Sequence, residues 1–168
     1  QMPLGYRRRW AGVISAEPQL IPGSLAENIS VGARASEAEL KAVVEAAGLT
    51  ALADSLGGLG GRVDPSRAWD VATKHRVQLA RVLFQKPEIV VVEDFSGGLD
   101  RETTNAVLSA ISSTARTVVA AGCRDSLLEL ADEVVWVEDG VCAAPEPMDR
   151  FVTSPKARLL VGDSRLQQ

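Results

Sequence analysis

Apolar residues along the chain follow two periods. The β-branched runs Ala11 to Ser15, Ile89 to Glu93, Thr117 to Ala121 and Glu133 to Val137 read as strands. Their nearly unbroken Val and Ile content predicts burial on both faces, as in a parallel sheet. Between them lie segments of helical period with legible ends. Ser24-Leu-Ala-Glu27, Ser36-Glu-Ala-Glu39 and Ser126-Leu-Leu-Glu129 each set a serine three residues ahead of a glutamate, so that hydroxyl and carboxylate satisfy orphan amides at a helix start. The helix opened by Ser36 stops at Gly48, another around Trp69 to Gln85 stops at Pro87, and Asp100 caps one running to about Ile111. Asp139-Gly140 turns the chain into Val141 and Cys142, and a last helix begins near Met148. Strands alternating with helices predict an α/β protein. One stretch breaks the alternation: more than 70 residues of mostly helical pattern separate the first strand from Ile89, too many for one crossover helix. A helical subdomain is therefore expected as an insertion at about residues 24–85.

Composition narrows the class. A chain of 168 residues fits one domain with its own core, and 46% apolar with 24% charged residues excludes disordered and fibrous classes. No run approaches the roughly 20 apolar residues of a membrane-spanning helix, and no apolar stretch follows the basic N-terminal residues. The expectation is a soluble domain on the cytoplasmic side. A net charge of −4 argues against nucleic acid as a partner, and Arg7, Arg8 and Arg9 read as a solvated edge or a partner contact. Cys123 and Cys142 both lie in strand-like stretches and read as buried thiols.

Six segments carry a resemblance. Pro18-Gln-Leu-Ile-Pro-Gly-Ser-Leu-Ala-Glu-Asn-Ile29 resembles the stretch after the glutamine loop of ATP-binding-cassette (ABC) exporters. Arg76-Val-Gln-Leu-Ala-Arg-Val-Leu83 is similar to the helix after the ABC signature, and Pro87-Glu-Ile-Val-Val-Val-Glu-Asp94 to the Walker B strand. Ser96-Gly-Gly-Leu-Asp100 is similar to the D-loop, Thr117 to Ser126 to the switch-histidine strand, and Ala131 to Gly140 to the strand and turn that follow it. The segments keep the family's order and spacing and cover nearly the whole chain. The resemblance implies a P-loop NTPase fold of the RecA-like kind, with a mostly parallel sheet and the inserted helices carrying the signature.

The same resemblance marks which positions depart from the family. The phosphate-binding loop ends in Gly-Lys-Ser or Gly-Lys-Thr, whose amides and lysine neutralise phosphate. None of Lys41, Lys74, Lys86 and Lys156 follows a glycine, so the chain is expected to begin after that loop, through a split or shortened domain or through evolutionary loss. The resemblance makes Glu93 the metal-side carboxylate and Asp94 the base, in the reverse of the family's Asp-Glu order. Exchanging them moves each carboxylate by about an ångström, and misplacement on that scale costs on the order of 100-fold in rate. The signature aligns with Trp69-Asp-Val-Ala-Thr73, so by resemblance Asp70 sets a carboxylate where phosphate sits, beside Ala72 and Thr73; on local grounds it reads simply as the N-cap of the long helix. Ala16 stands at the glutamine-loop position and Cys123 at the switch histidine, neither suited to metal or phosphate. His75, the one histidine, reads as part of a solvated helix face.

The resemblance implies ATP and Mg²⁺ as the family's cofactors, with neither expected on this chain alone. It implies two partners: a second nucleotide-binding domain, of the same or another chain, and the transmembrane domain of a transporter, whose coupling helix contacts the region of Pro18 to Glu27. Trp69, Ser96, Gly97, Gly98 and Asp100 are the expected domain-pairing surface, with Trp69 as an exposed anchor. Three readings stay open: a degenerate cassette kept for pairing and coupling, an ATP-hydrolysing half whose P-loop lies upstream, and a free-standing interaction module. In this family the strand into the phosphate loop lies between Thr117 to Ala121 and Glu133 to Val137. Its absence predicts a gap filled by a donated strand, by Met2 to Tyr6, or by direct pairing of the two flanking strands.

Overall fold

The computed structural model describes residues 10–93, 101–122 and 125–161. The chain forms two compact units, Gln1–Ala121 and Gly122–Gln168. In the first, a three-stranded sheet in the order β1-β4-β5 is built from β1 (Ala11–Ile14), β4 (Ile89–Glu93) and β5 (Thr117–Ala121). All neighbours are parallel, with Val13 opposite Val91 and Val91 opposite Val119. Between β1 and β4 come a two-residue strand β2 (Gly23–Ser24), helices α1 (Leu25–Ser30), α2 (Glu37–Ala46) and α3 (Thr50–Ser55), strand β3 (Arg62–Val63) and the long helix α4 (Val71–Gln85). β2 and β3 pair antiparallel, and α5 (Arg101–Thr114) precedes β5.

Local chemistry explains most of these ends. Ser24 and Ser36 each accept the amide of the glutamate three residues on, and each glutamate reaches back to the serine amide, closing two of the three expected capping boxes. The Ser126 side chain of the third lies outside the described residues, as does the expected Asp100 cap. α4 ends at Lys86 in the left-handed conformation, with Pro87 behind it. β1 approaches that turn so closely that a Cβ on Gly12 would stand 2.9 Å from Pro87 Cγ.

The core lies on one face of the sheet. Ile14, Val90 and Val92 of the sheet, Val77 and Ala80 of α4 and Leu108 and Ile111 of α5 are all buried, with α4 packed on β1 and α5 on α4. α4 is the central element, packing on α1, α2, α5 and β1. The other face is open: Val13, Val91 and Val119 are 49%, 36% and 53% exposed, and β5 is exposed along its whole length. The expectation of burial on both faces is corrected here, because Val and Ile runs report β propensity, while coverage depends on elements packed from elsewhere. Along its other edge β5 has no strand among the described residues.

In the second unit, α6 (Asp125–Leu128) leads to short strands β6 (Glu133–Val134), β7 (Val137–Glu138), β8 (Val141–Cys142) and β9 (Glu146–Pro147), then α7 (Met148–Phe151) and α8 (Pro155–Val161). The expected strand from Glu133 to Val137 is thus split, β6 pairing antiparallel with β9 and β7 with β8. Of the expected repairs to the gap, Met2 to Tyr6 lies outside the described residues. Asp139 and Gly140, with φ of 49° and 76°, form the predicted tight turn. Phe151 is buried beside Trp136, their ring centroids 6.3 Å apart. Cys142 is exposed, not buried as expected, since this hairpin has no covering layer among the described residues.

Candidate functional site

Two of the predicted site residues meet at the carboxyl ends of the parallel strands. β1 delivers Ser15 and Ala16, and β4 delivers Glu93. The Ala16 amide donates to Glu93 Oε2 across 3.1 Å, both residues being exposed. Next to them, Gln78 of α4 donates from Nε2 to Ser15 Oγ at 2.9 Å. The loop leaving β1 is thus held from the neighbouring strand and from α4. No three His, Cys, Asp or Glu side chains converge among the described residues. Asp94, Cys123, Ser96, Gly97, Gly98 and Asp100 lie outside the described residues.

The remaining predicted residues gather at the start of α4. Asp70 has extended backbone and caps the helix, Oδ1 accepting the Thr73 amide and Oδ2 the Thr73 hydroxyl, each at 2.7 Å. The Thr73 side chain chiefly, opposed by partial burial and aided by backbone amides and Arg76, holds the Asp70 carboxyl below its ordinary range. The helix N-terminus, where oriented amides favour an anion, is covered by the chain's own carboxylate. Ala72 is half-buried behind it. Trp69 is also half-buried: its indole N–H donates to Asp64 O at 2.7 Å, and the Arg67 guanidinium lies 5.4 Å from its ring centroid. The expected free anchor is therefore already engaged within its own loop. His75, expected on a solvated face, is fully buried with Nδ1 3.0 Å from Val71 O, because its side of α4 faces the core.

A surface cleft of about 410 Å³ lies on the segment expected to meet a coupling helix, lined by Pro22, Gly23, Ser24, Glu27, Gly60 and Arg62. Glu27 is bound by the Ser24 amide and hydroxyl, at 2.7 and 2.9 Å, which lowers its pKa. Asn28 and Arg81, not singled out from the sequence, tie the cleft's backbone to α1 and α4. An arginine among the buried positions of a helix, between Ala80 and Val82, was the one available signal.

The chain is 31% identical over 133 residues to ABC multidrug transporter mdr2 of Aspergillus fumigatus, covering 76% of this chain and 17% of that protein. It is 30% identical over 146 residues to multidrug resistance protein homolog 65 of Drosophila melanogaster, covering 80% of this chain and 11% of that protein. The fold matches a solved bacterial Atm1-family ABC exporter with ATP bound, at a TM-score of 0.76 and 22% identity, over 89% of this chain and 27% of that one. No family model matches. The chain thus spans less than a fifth of either curated relative. No helix among the described residues is long and apolar enough to cross a membrane. By sequence and by fold, the chain is homologous to the ATP-binding regions of ABC exporters.

Proposed function

We propose that this chain is a degenerate nucleotide-binding domain of an exporter-like ABC protein, kept for domain pairing and for coupling to a membrane domain more than for hydrolysis. The observation that carries the reading is the Asp70 carboxylate bound over the first turn of α4, at the signature position. A γ-phosphate approaching there meets a like charge in place of free amides. Glu93, the metal-side carboxylate by resemblance, spends one oxygen on the Ala16 amide, and Ala16 offers no side-chain ligand. The described carboxylates therefore fit a structural use better than an Mg-ATP site, and no hydrolytic step is assigned to them.

Pairing runs through Trp69 and the D-loop positions Ser96, Gly97, Gly98 and Asp100, and the cleft at Pro22 to Glu27 receives the partner's coupling helix. A second reading, an ATP-hydrolysing half whose P-loop lies on a preceding segment, draws support from the small share of each relative that the chain spans. Calorimetric titration of the chain with Mg-ATP tests the first reading, which expects a Kd weaker than millimolar; a micromolar Kd overturns it. Titrating a longer chain that includes the preceding segment tests the second: micromolar binding and turnover there, with a Gly-Lys-Ser or Gly-Lys-Thr loop, favours it.

A further inference from the structure

Arg81 brings a positive charge into the packed side of α4 with no carboxylate bonded to it among the described residues. It is half-buried between the buried residues Ala80 and Val82. Its described contacts are all to neutral oxygens: Nε donates to Asn28 O at 2.7 Å, Nη1 to Gln19 O at 2.7 Å and Nη2 to Asn28 Oδ1 at 3.2 Å. Among the described residues the one ion pair is Lys41 with Glu37, elsewhere on the surface. An apolar side chain would occupy this place with less desolvation. What it would lack is the planar fork, which reaches three acceptors on two other segments at once.

Asn28, fully buried, extends the network. Its Oδ1 accepts the Ile21 amide at 2.9 Å, while Nδ2 donates to Ile21 O at 2.9 Å and Ser24 O at 3.0 Å. The backbone at Gln19, Ile21 and Ser24 therefore hangs from two side chains. Gln19, Ile21 and Pro22 are exposed and Leu20 is the one buried apolar side chain among residues 19–24, so these hydrogen bonds fix the backbone on either side of it. The segment supplies one wall of the cleft, and α4 is also the helix that carries the Asp70 cap and the Gln78 bond to the loop after β1.

We infer that Arg81 is the positioning residue of the docking cleft, its fork setting residues 19–24 in register with α4 so that any displacement of α4 is carried to the cleft wall. This deepens, and rests on, the reading that the cleft receives a partner. Its test is made on the chain alone, so that it stands or fails separately from docking and from the Mg-ATP titration.

Residue-resolved amide hydrogen exchange on the full chain compares wild type with Arg81→Met, which keeps the stem and removes the fork. The Ile21 amide is expected to exchange roughly 10- to 100-fold faster, as for the loss of hydrogen bonds to a charged group. The amides of Val31 and Ala47, bonded to Glu27 O and Val43 O, are expected to hold. A merely structural role would speed all three together, in step with global stability, and would overturn the inference. So would an unchanged Ile21 rate. Should Arg81→Met fail to fold, Arg81→Lys decides: the ammonium keeps the charge without the fork, and an Ile21 rate equal to wild type would overturn the fork's role, whereas acceleration at Ile21 with Val31 and Ala47 unchanged supports it.

Discussion

Glu93 and Ala16 stand 77 residues apart in sequence and join the carboxyl ends of two neighbouring parallel strands through a 3.1 Å hydrogen bond. The bond is solvent-exposed, so water replaces it at little cost. Glu93→Ala is expected to lower stability by no more than about 1 kcal/mol. Glu93→Gln, which keeps an acceptor oxygen, is expected to lose less. Urea unfolding of both variants checks this; equal losses would show that the acceptor at Ala16 is not what matters.

Asp70 gives a pH signature with a defined sign. Its native pKa lies below the ordinary 3.8, so the unfolded chain binds its proton first on acidification. The contribution is complete above the ordinary carboxylate range and is lost as pH falls through 3.8 toward the lower native value. Removing the cap in Asp70→Ala is expected to cost about 1 kcal/mol at neutral pH. The difference between wild type and variant should shrink in acid, as measured by denaturant midpoints across pH. Glu27, Glu39 and Asp64 are lowered too, and so the difference carries the test, not the slope of either protein. A difference that grows in acid would contradict the assignment.

Val31 ends α1 in the left-handed region at φ 48°, an unfavourable place for a β-branched residue, and it is exposed. Val31→Gly relieves the backbone at the cost of greater freedom in the unfolded chain, and a net gain of about 0.5–1 kcal/mol is expected. A thermal melt reads it directly, and a lower Tm would mean that Val31 makes a contact worth more than its strain.

The exposed strand β5, whose outer edge carries no strand among the described residues, holds Thr117, Val118, Val119, Ala120 and Ala121, with no charge or proline among them. Such an edge recruits another strand. The chain alone is expected to associate with rising concentration in sedimentation velocity, and Val119→Lys to suppress it. Association unchanged by the lysine would assign self-contact to a different surface.

Features whose determinants lie within a few residues of one another were legible from the sequence. The boxes at Ser24 and Ser36, the αL stop before Pro87, the Asp139-Gly140 turn and the bounds of β4 and β5 each depend on a short-range pairing of side chain with backbone, or on a β-branched run. Family resemblance was legible for a related reason, since the spacing of local motifs survives when individual residues change. Tertiary structure alone decided what each face meets. Val119 and Val90 look alike in sequence, yet Val90 is buried in the core while Val119 faces solvent. His75 and Arg81 lie on one helix; His75, in the basic turn Lys74 to Arg76, reads as solvated yet is buried, and Arg81, which nothing in its neighbourhood singles out, holds a loop some 60 residues earlier. Burial, and the partner of a long polar side chain, are set by elements distant in sequence that fold against the site, and no local period encodes which elements those will be.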